Sequence, residues 1–358
     1  MLNCKILSLV DKQVWKECFQ KLPLEQQDVY YTPEYYELYE NYGDGKAQCF
    51  VFEKDGEIAL YPFLMNSVNE LGYDLDDTYF DIQGAYGYNG VLSSSYDKKF
   101  IDSFYNVVDD YCINNNVVAE FTRFQPVLGN DRFDNGYWNI IYDRTTVFIK
   151  LSEYDDLDDI WQKAYSKEAR KNCRKAEKQQ LYHTLAEDKD EFSRFYNLYL
   201  ETMQYIQSTD YYLFSEEFFR QIADLKQQQE LILVWKENQL LGCFSILFTK
   251  HYAHNFLSAG SVNHRKLPIN DYMQNLAIQK AFDKGCRYIH FGGGNSKNEY
   301  DSLFKFKSKF SKSRLNFKIG KKIHHDKIYQ EVKQQWEHKY PKHYNQNKHR
   351  LLGYRDIQ

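Results

Sequence analysis

One order of elements occurs twice along this chain, and this repeat limits the folds that the sequence can adopt. Each copy predicts an aromatic-bearing helix, a hairpin, a second helix and a buried strand. The hairpins read FVFEKDGEIALYPFLM and LVWKENQLLGCFSILF, and the later helices and strands read FIDSFYNVVDDY then VVAEFTRF, and NLAIQKAFDKG then RYIHF. A repeat spaced by roughly 180 residues indicates a duplicated domain and not a solenoid. We therefore predict an α+β fold, a mixed α/β architecture of two tandem domains.

The length of the chain agrees with two domains. It has 358 residues, whereas a single core rarely grows beyond about 250 residues. The composition changes sharply after the strand TTVFIKL, where a long polar helix is predicted. We predict a first domain over residues 1–150, a second over residues 151–330, and a C-terminal helix and tail over residues 331–358.

Charge and cysteine use restrict the class of protein. The formal net charge is −4, so any contact with a nucleic acid or a nucleotide must come from a local basic patch. The seven cysteines are scattered and none has CxxC spacing, which argues against a disulfide framework and a zinc knuckle. No stretch has the pattern of a signal peptide or of a membrane span. These features predict a cytoplasmic protein.

The stretch from residue 270 to residue 310 predicts a site. It contains an amphipathic helix stopped at Gly285, a short strand that ends at Phe291, three glycines, and a basic aromatic run, FKFKSKF. Glycine has no Cβ, so Gly292, Gly293 and Gly294 permit positive φ and leave backbone N–H groups able to face an anion or a carbonyl oxygen. A plain turn is the alternative, and the phosphate-binding spacings GxGxxG and GxxxxGK[ST] are absent.

A basic helix is predicted within residues 152–180. On a helix of 3.6 residues per turn, one broad face carries six cations: Lys163, Lys167, Arg170, Lys171, Arg174 and Lys178. Such a stripe suits the phosphates of a nucleotide, a pyrophosphate or an RNA. The alternative is an ordinary solvated face.

Two titratable residues are candidate proton acceptors. His290 ends a strand just before the glycines, where it would either accept a proton or satisfy a neighbouring carbonyl. Asp81 precedes a Gly-Tyr loop and would either take the proton of an attacking amine or cap that loop. The sequence shows no Ser/His/Asp or Cys/His arrangement, which favours direct transfer without a covalent intermediate.

No metal site is predicted. His251 and His254 lie three residues apart in a predicted strand, which places them on opposite faces. The run His324-His325-Asp326 near the C-terminus is interpreted as exposed polar sequence without further ligands.

Several motifs together resemble the FemABX family, the peptidoglycan-bridge aminoacyl transferases, and the wider group of GNAT-type acyltransferases. They are WQKAYSKEARKNCRKAEK at the start of the second copy, FYNLYLETM, the strand that runs into GGG, and DSLFKFKSKFS. The segment YFDIQGAYGYNGV is similar to a first-domain YGYGG element of these proteins. The resemblance covers residues 25–330.

The resemblance implies a pair of GNAT-like domains that transfer an acyl or aminoacyl group to an amine. The donor would be an aminoacyl-tRNA or an acyl-CoA, used as a substrate, with no tightly bound cofactor. The acceptor would be an amine on a nucleotide- or lipid-linked cell-wall precursor. A contact with tRNA is implied for the first donor class, and the oligomeric state is left open.

The resemblance also assigns site residues. Phe306 and Lys307 fall on a Phe-Lys pair near the reacting carbonyl, and Lys307 would stabilise negative charge on the carbonyl oxygen or on a phosphate. Thr202 falls on a threonine of the acceptor cleft. Substrate binding is predicted for a wider set: Lys305, Phe306, Thr202, Tyr205, Gly292, Gly293, Gly294, His290, Tyr86, Tyr88, Lys167, Arg170 and Arg174. Lys307 and Asp81 are the predicted catalytic residues.

Two departures from the family pattern bear on the substrates. Where the family often has Thr-x-x-Arg, this chain has Thr202-Met203-Gln204-Tyr205, so the arginine expected to hold an acceptor phosphate is absent. The segment 261–270 lacks the Gly-rich pyrophosphate signature of CoA-binding GNAT domains. The coiled-coil arm of the larger family members is also missing.

Three functions are compatible with these features. The first is N-acyl or aminoacyl transfer to a cell-envelope precursor, such as a peptidoglycan peptide. The second is acyl-CoA-dependent N-acylation of an amino sugar for a capsule or surface polysaccharide. The third is a noncatalytic duplicate that binds RNA or a glycan through its tyrosines and its basic stripe.

Overall fold

The computed structural model describes residues 3–208 and 212–357. Residues 3–150 form three helices and seven strands. The helices are α1 Lys12–Lys21, α2 Pro33–Tyr42 and α3 Lys98–Asn114. The strands are β1 Asn3–Ser8, β2 Lys46–Lys54, β3 Glu57–Ser67, β4 Phe80–Gln83, β5 Leu92–Ser93, β6 Val117–Arg123 and β7 Asn139–Lys150.

The described residues after 150 form eight helices and six strands. The helices are α4 Leu157–Lys163, α5 Lys167–Lys178, α6 Lys189–Tyr205, α7 Glu216–Ile222, α8 Ile269–Asp283, α9 Ser302–Ser308, α10 Asp326–Lys339 and α11 Pro341–Asn347. The strands are β8 Tyr182–Leu185, β9 Gln229–Lys236, β10 Gln239–Phe248, β11 Tyr252–Gly260, β12 Tyr288–Gly293 and β13 Arg314–Ile323.

The chain divides into two compact units. The first unit contains the residues up to 26, residues 30–143 and the residues from 317 on, and the second contains residues 27–29 and 144–316. The first boundary lies seven residues before the predicted one. The second differs more, because residues 317–330 do not belong with the second unit and residues 331–358 are not a separate tail. The reason is pairing, since β13 runs antiparallel to β6 from Ile319↔Arg123 to Ile323↔Ala119.

Both units have the same strand order. The first sheet runs β1-β2-β3-β4-β6-β13, with β5 beside β3, and the second runs β8-β9-β10-β11-β12-β7. In each order the pairs are antiparallel except for one, which is β4–β6 in the first unit and β11–β12 in the second. The predicted mixed fold is therefore confirmed, and the repeat that the sequence shows is visible as shared topology.

The two hairpins form as their sequences predict. Strands β2 and β3 meet at Lys54↔Glu57, so that Asp55 and Gly56 form the turn with φ of 53° and 85°. The turn between β9 and β10 contains Glu237 and Asn238, with φ of 49° and 65°. Two positive φ values are typical of the type I′ turn, whose twist matches that of the strands.

One predicted helix is wrong. The polar stretch 152–180 forms two helices, α4 and α5, instead of one. Ser166 begins the second helix, because its hydroxyl accepts a hydrogen bond from the Ala169 N–H at 3.1 Å. Tyr165, just before it, is buried and packs edge-on against Phe310 at 5.1 Å. A buried tyrosine and a capping serine thus interrupt a stretch whose charge pattern alone favours a continuous helix.

Helix α8 is buried on most sides, whereas the sequence predicts an amphipathic helix. Its buried residues include the polar Asp271, Gln274 and Asn275 as well as apolar ones. These three side chains are paired: Asp271 with Lys309, Gln274 with Asn255, and Asn275 with Tyr165. Each of these side chains has at least one partner, although the Gln274 Nε2 amide nitrogen has none, so most of the cost of burying their polar groups is offset. Among the described residues, no helix is long and apolar enough to cross a membrane.

We expect Gly242→Val to destabilise the second unit by about 1–3 kcal/mol, as is usual for overpacking a core. Gly242 lies in β10, where an added Cβ would come within 2.6 Å of Ile269 Cγ2 and 2.9 Å of Met273 Sδ. Urea unfolding measures the change. Ser258→Val is the matched control, since Ser258 is exposed on the neighbouring strand and its change should stay within about 0.5 kcal/mol. Equal stability of the two variants would contradict this packing.

Candidate active site

The end of strand β12 brings two cations onto backbone carbonyl groups. Lys307 Nζ donates to the Gly293 carbonyl at 2.7 Å, and Arg144 Nη1 donates to the Gly294 carbonyl at 2.8 Å. Gly293 pairs with Thr146 in the β12–β7 ladder. The glycine run predicts N–H groups that face an anion or a carbonyl oxygen, but the side-chain contacts at Gly293 and Gly294 are made by their own carbonyl oxygens. The positive charge at this site comes from side chains.

Each of the three glycines is required by its surroundings. Gly292 has φ of 75°, in the region that glycine favours. A Cβ on Gly293 would lie 2.9 Å from the Thr145 carbonyl oxygen, and one on Gly294 would lie 2.5 Å from Asp301 Oδ1. Asp301 in turn caps α9 by accepting from the N–H groups of residues 303 and 304. The glycines thus allow the start of α9 to approach the end of β12.

Lys307 has an unusual electrostatic environment. Burial lowers the pKa of its ammonium to about 8, while the carboxylate of Asp301 raises this pKa and the neighbouring Arg144 lowers it further. Lys307 is therefore mainly protonated at pH 7. A partly desolvated ammonium of this kind interacts strongly with charge that develops next to it.

The other residues of the FKFKSKF run point in different directions. Lys305 is exposed and lies 4.8 Å from the ring centroid of Tyr300. Lys309 forms an ion pair with Asp271 at 2.7 Å and also lies over the ring of Phe306 at 5.0 Å. Phe306 is half-buried beside Phe310. The structure thus brings Lys307 to the strand end, packs Phe306 beside Phe310 and directs Lys305 towards Tyr300.

Two histidines and an aspartate form a buried row beside the glycines. His254 and His290 are direct partners in the parallel β11–β12 ladder, and their rings meet edge to face at 6.0 Å. His254 Nε2 contacts both carboxylate oxygens of Asp28, at 2.9 and 3.0 Å. All three are at most 2% exposed. Burial lowers the pKa of His290 well below its usual range, and His254 and Lys307 lower it further, so His290 is a neutral imidazole at pH 7.

Sequence reasoning singles out His290 but misses its partners. Asp28 is distant in the chain, and His254 is considered only as a metal ligand. The signal that could have found the pair is the parallel register, which places residues 254 and 290 side by side on one face. Arg144, which contacts the Gly294 carbonyl, has no such signal in its local sequence.

Helix α6 presents the two residues predicted for the acceptor side. Thr202 Oγ1 donates to the carbonyls of Leu198 and Gly260, at 2.8 and 3.3 Å. Tyr205 is half exposed, and its hydroxyl is hydrogen-bonded by Arg265, whose guanidinium also lies 4.3 Å from the ring centroid. Tyr205 thus stands where the Thr-x-x-Arg pattern has an arginine, and Arg265 brings a guanidinium to the same turn of α6.

The predicted basic stripe is only partly available. Arg170 donates to the carbonyls of residues 161, 162 and 165, at 2.9 to 3.1 Å. These carbonyls lie at the end of α4 and just after it, so Nη1 of Arg170 joins α4 to α5, and the part of Arg170 in substrate binding remains a prediction. Lys167 and Arg174 are exposed on α5, and Arg174 stacks on Trp161 at 5.5 Å. Substrate binding by Lys167 and Arg174 therefore stays a prediction.

The surroundings of Asp81 in the first unit contradict its predicted catalytic role. This carboxylate is fully buried and accepts hydrogen bonds from Tyr354 Oη at 2.8 Å and from Arg355 Nε at 2.8 and 2.9 Å. Burial raises the pKa of Asp81, and Arg355 and Tyr354 act against that rise. The predicted catalytic role is wrong, because residues 353–355 cover the carboxylate. Its function is to hold the C-terminal segment.

The tyrosines of the YGY element pack within the first unit. The Tyr86 carbonyl accepts from Tyr35 Oη at 2.6 Å. The ring of Tyr88 lies edge-on to Tyr30 and Phe317, at 5.3 and 5.4 Å. Both tyrosines are half-buried. Their predicted part in substrate binding remains a prediction.

Comparison with known proteins defines the class. Residues 163–307 match the acetyltransferase (GNAT) domain family, a range that begins before α5 and ends at Lys307. No curated protein matches the chain.

Solved structures match nearly the whole chain. The structure of FemX superposes with a TM-score of 0.67 at 16% identity, covering 91% of this chain and 99% of FemX. A tandem GNAT protein of the clavulanic acid pathway gives 0.51 at 9% identity, covering 90% and 98% of the two chains. The C-terminal domain of a putative lysylphosphatidylglycerol synthetase from Agrobacterium fabrum gives 0.51 at 12% identity, covering 86% and 92%.

The matched domain indicates an acyltransferase, and the chain has the fold of tandem GNAT proteins. Within this class the chain is FemABX-like in its fold, as its motifs predict. An enzyme is therefore indicated, and the noncatalytic alternative loses its support.

We expect Asp81→Asn to lower the free energy of unfolding by about 3 kcal/mol. Loss of one partner of a buried ion pair costs about 3–5 kcal/mol, and the lower value applies because the Arg355 side chain is 22% exposed. Urea unfolding measures the loss. Asp110→Asn, an exposed carboxylate on α3, is the control. A variant with native stability and abolished acyl transfer would instead restore the catalytic role of Asp81.

Proposed function

We propose that this protein transfers an acyl or aminoacyl group from a thioester or a tRNA ester to the amine of a cell-envelope precursor. The observation that carries the proposal is the Lys307 ammonium, held at the end of β12 by the Gly293 carbonyl at 2.7 Å. It lies within the range that matches the GNAT domain. A peptidoglycan peptide is the acceptor that the FemX-like fold favours.

The reaction needs stabilisation of one developing charge. The acceptor amine attacks the acyl carbonyl carbon, a C–N bond forms, and the carbonyl oxygen becomes an oxyanion. The oxyanion then collapses as the bond to the thiolate or to the tRNA hydroxyl oxygen breaks. Lys307 has three N–H donors and spends one on the Gly293 carbonyl, so we assign a second donor to this oxyanion. A preorganised donor of this kind typically contributes a factor of about 100 to 1,000 in kcat.

The attacking amine must also lose a proton. We assign His290 as the proton acceptor in place of Asp81, because burial keeps its imidazole neutral. The row behind it supports this role, since His254 lies against His290 and the carboxylate of Asp28 contacts His254. A carboxylate behind the histidines stabilises the positive charge that follows proton transfer. The proton then leaves to the departing thiolate or alkoxide.

The exposed cations near the site are compatible with either class of acyl donor. Lys167 and Arg174 are exposed on α5, and Arg265 lies at the end of α6. These cations suit the phosphates of either donor, acyl-CoA or aminoacyl-tRNA. With acyl-CoA the acceptor could equally be an amino sugar of a surface polysaccharide, and a donor screen separates the two cases.

The test is a donor screen followed by Lys307→Ala. Acyl-CoAs and charged tRNAs are compared by thermal shift, and we expect one class to stabilise the protein by about 2.7 kcal/mol at one hundred times its Kd. With that donor and a muropeptide acceptor, Lys307→Ala should lower kcat about 100- to 1,000-fold with donor affinity unchanged. Release of the thiol or of uncharged tRNA measures turnover.

Lys305→Ala is the matched control for this variant. It removes a lysine from the same helix, but one that is exposed and directed at Tyr300, so its kcat should stay within about twofold of the native value. The proposed function fails if no donor of either class stabilises the protein. The role of Lys307 fails if both alanine variants turn over equally.

The pH profile should report the states of Lys307 and His290. The oxyanion needs protonated Lys307, so kcat should fall as the pH rises through about 8, the lowered pKa of this lysine. His290 must be neutral, and its pKa lies well below 6.5, so the acid limb should lie below that pH. Lys307→Arg keeps its charge to higher pH and should move only the alkaline limb upward. An alkaline limb that Lys307→Arg leaves in place would argue against the assignment.

A further inference from the structure

A buried histidine of the first unit lies between two carboxylates. His324 follows β13, and its side chain is fully buried. Its Nδ1 lies 3.2 Å from Asp109 Oδ1, and its Nε2 lies 3.0 Å from Glu120 Oε2. A neutral imidazole has only one N–H donor. One of its two nitrogens therefore faces a carboxylate with its lone pair, unless a cation lies between them or the ring itself is charged.

A third ligand atom lies at the same place. Cys112 is a buried free cysteine on α3, and its Sγ, a carboxylate oxygen of Glu120 and a ring nitrogen of His324 all lie within 4.8 Å of one another. With metal–ligand distances of about 2.0 to 2.3 Å, the edges of a tetrahedral zinc site measure about 3.3 to 3.7 Å. His324 Nε2 and Glu120 Oε2 are 3.0 Å apart and would separate slightly, while the wider separations, at most 4.8 Å, would shorten by up to about 1 Å.

The surroundings of His324 match those of a metal ligand. A histidine that binds a metal through one nitrogen usually donates its other N–H to a carboxylate, as His324 Nδ1 does to Asp109. Lys322 Nζ holds Asp109 in turn, at 3.0 Å. Tyr137 Oη donates to Glu120 Oε2 at 3.0 Å, so the ligand carboxylate is also oriented.

Two polar atoms at this site have no well-aligned hydrogen bond. Among the described residues, these are Glu120 Oε1 and Tyr61 Oη, and both side chains are fully buried. Burial raises the pKa of Tyr61, and the charge of the Glu120 carboxylate and a weak hydrogen bond to it add to the rise. A buried carboxylate whose oxygen is poorly hydrogen-bonded is costly, and a cation bound beside it would lower this cost.

We propose that Cys112, Glu120 and His324 form a binding site for a transition-metal ion, Zn²⁺ in the first place. Thiolate, imidazole and carboxylate are a ligand set that Zn²⁺ accepts. The Tyr61 hydroxyl faces this group and is the candidate for the fourth position. Binding replaces the thiol proton of Cys112, which is released to solvent. The site joins α3, β6 and the end of β13, so its role is structural and it does not depend on the proposed transferase activity.

The sequence did not predict this site. Cys112, Glu120 and His324 have none of the spacings of known zinc motifs. The run His324-His325-Asp326 was interpreted as exposed polar sequence, but the His324 side chain is fully buried. Only the pairing of β13 with β6 brings the three residues together.

The test is titration of the chelator-treated full chain with Co²⁺. We expect one equivalent to bind with a thiolate-to-cobalt charge-transfer band and the visible bands of a tetrahedral site, both removed by Zn²⁺. Cys112→Ser should abolish the charge-transfer band, while Cys286→Ser, another buried free cysteine, should keep it. Because Cys112 is buried, Asp109→Asn is a second variant. Its side chain is 39% exposed, and it should weaken Zn²⁺ binding about 10- to 100-fold.

Three results would overturn the proposal. One is a chain that takes up no Co²⁺, which would mean that a charged imidazole alone joins the two carboxylates. Another is a charge-transfer band that persists in Cys112→Ser. The last is an affinity for Zn²⁺ that Asp109→Asn leaves unchanged in a variant with the native circular dichroism spectrum.

Discussion

One parallel pair of strands in each unit determines the rest of its architecture. Strands β4 and β6 in the first unit, and β11 and β12 in the second, run in the same direction within otherwise antiparallel sheets. A parallel pair requires a crossover, which α3 and α8 supply. In the second unit the same pairing places His254 beside His290 and directs the end of β12 towards Lys307. The parallel direction of β11 and β12 thus determines which residues meet at the candidate active site.

Local signals in the sequence were sufficient for much of this fold. The two hairpin turns, the Thr32 cap before Pro33 and the Gly285 stop after α8 are set by neighbouring residues, and the structure has them where the sequence predicts. Contacts between distant residues were not predictable in this way. The break between α4 and α5 depends on Tyr165 packing against Phe310, and the covering of Asp81 depends on residues more than 270 positions away.

The same distinction applies to the candidate site. Lys307 and the glycines belong to one continuous stretch, so a motif could identify them. Asp28, Arg144 and Arg265 come from three other segments of the chain. Only the fold brings their side chains to the contacts that they make at the site. Charge patterns were also an incomplete guide, since Arg170 has the charge expected of a ligand contact but its Nη1 group donates to backbone carbonyls of residues 161, 162 and 165.

The late return of the chain to the first sheet has a consequence for biosynthesis. Strand β13 can complete that sheet only after roughly 170 further residues have been made, which at about 5–20 residues per second takes on the order of 10 to 30 s. Until then the hydrogen-bonding edge of β6 has no β13 to cover it, and an uncovered edge invites pairing with other chains. Slow translation or a chaperone that shields nascent β6 would therefore affect the yield of this protein more than that of one whose sheets are contiguous in sequence.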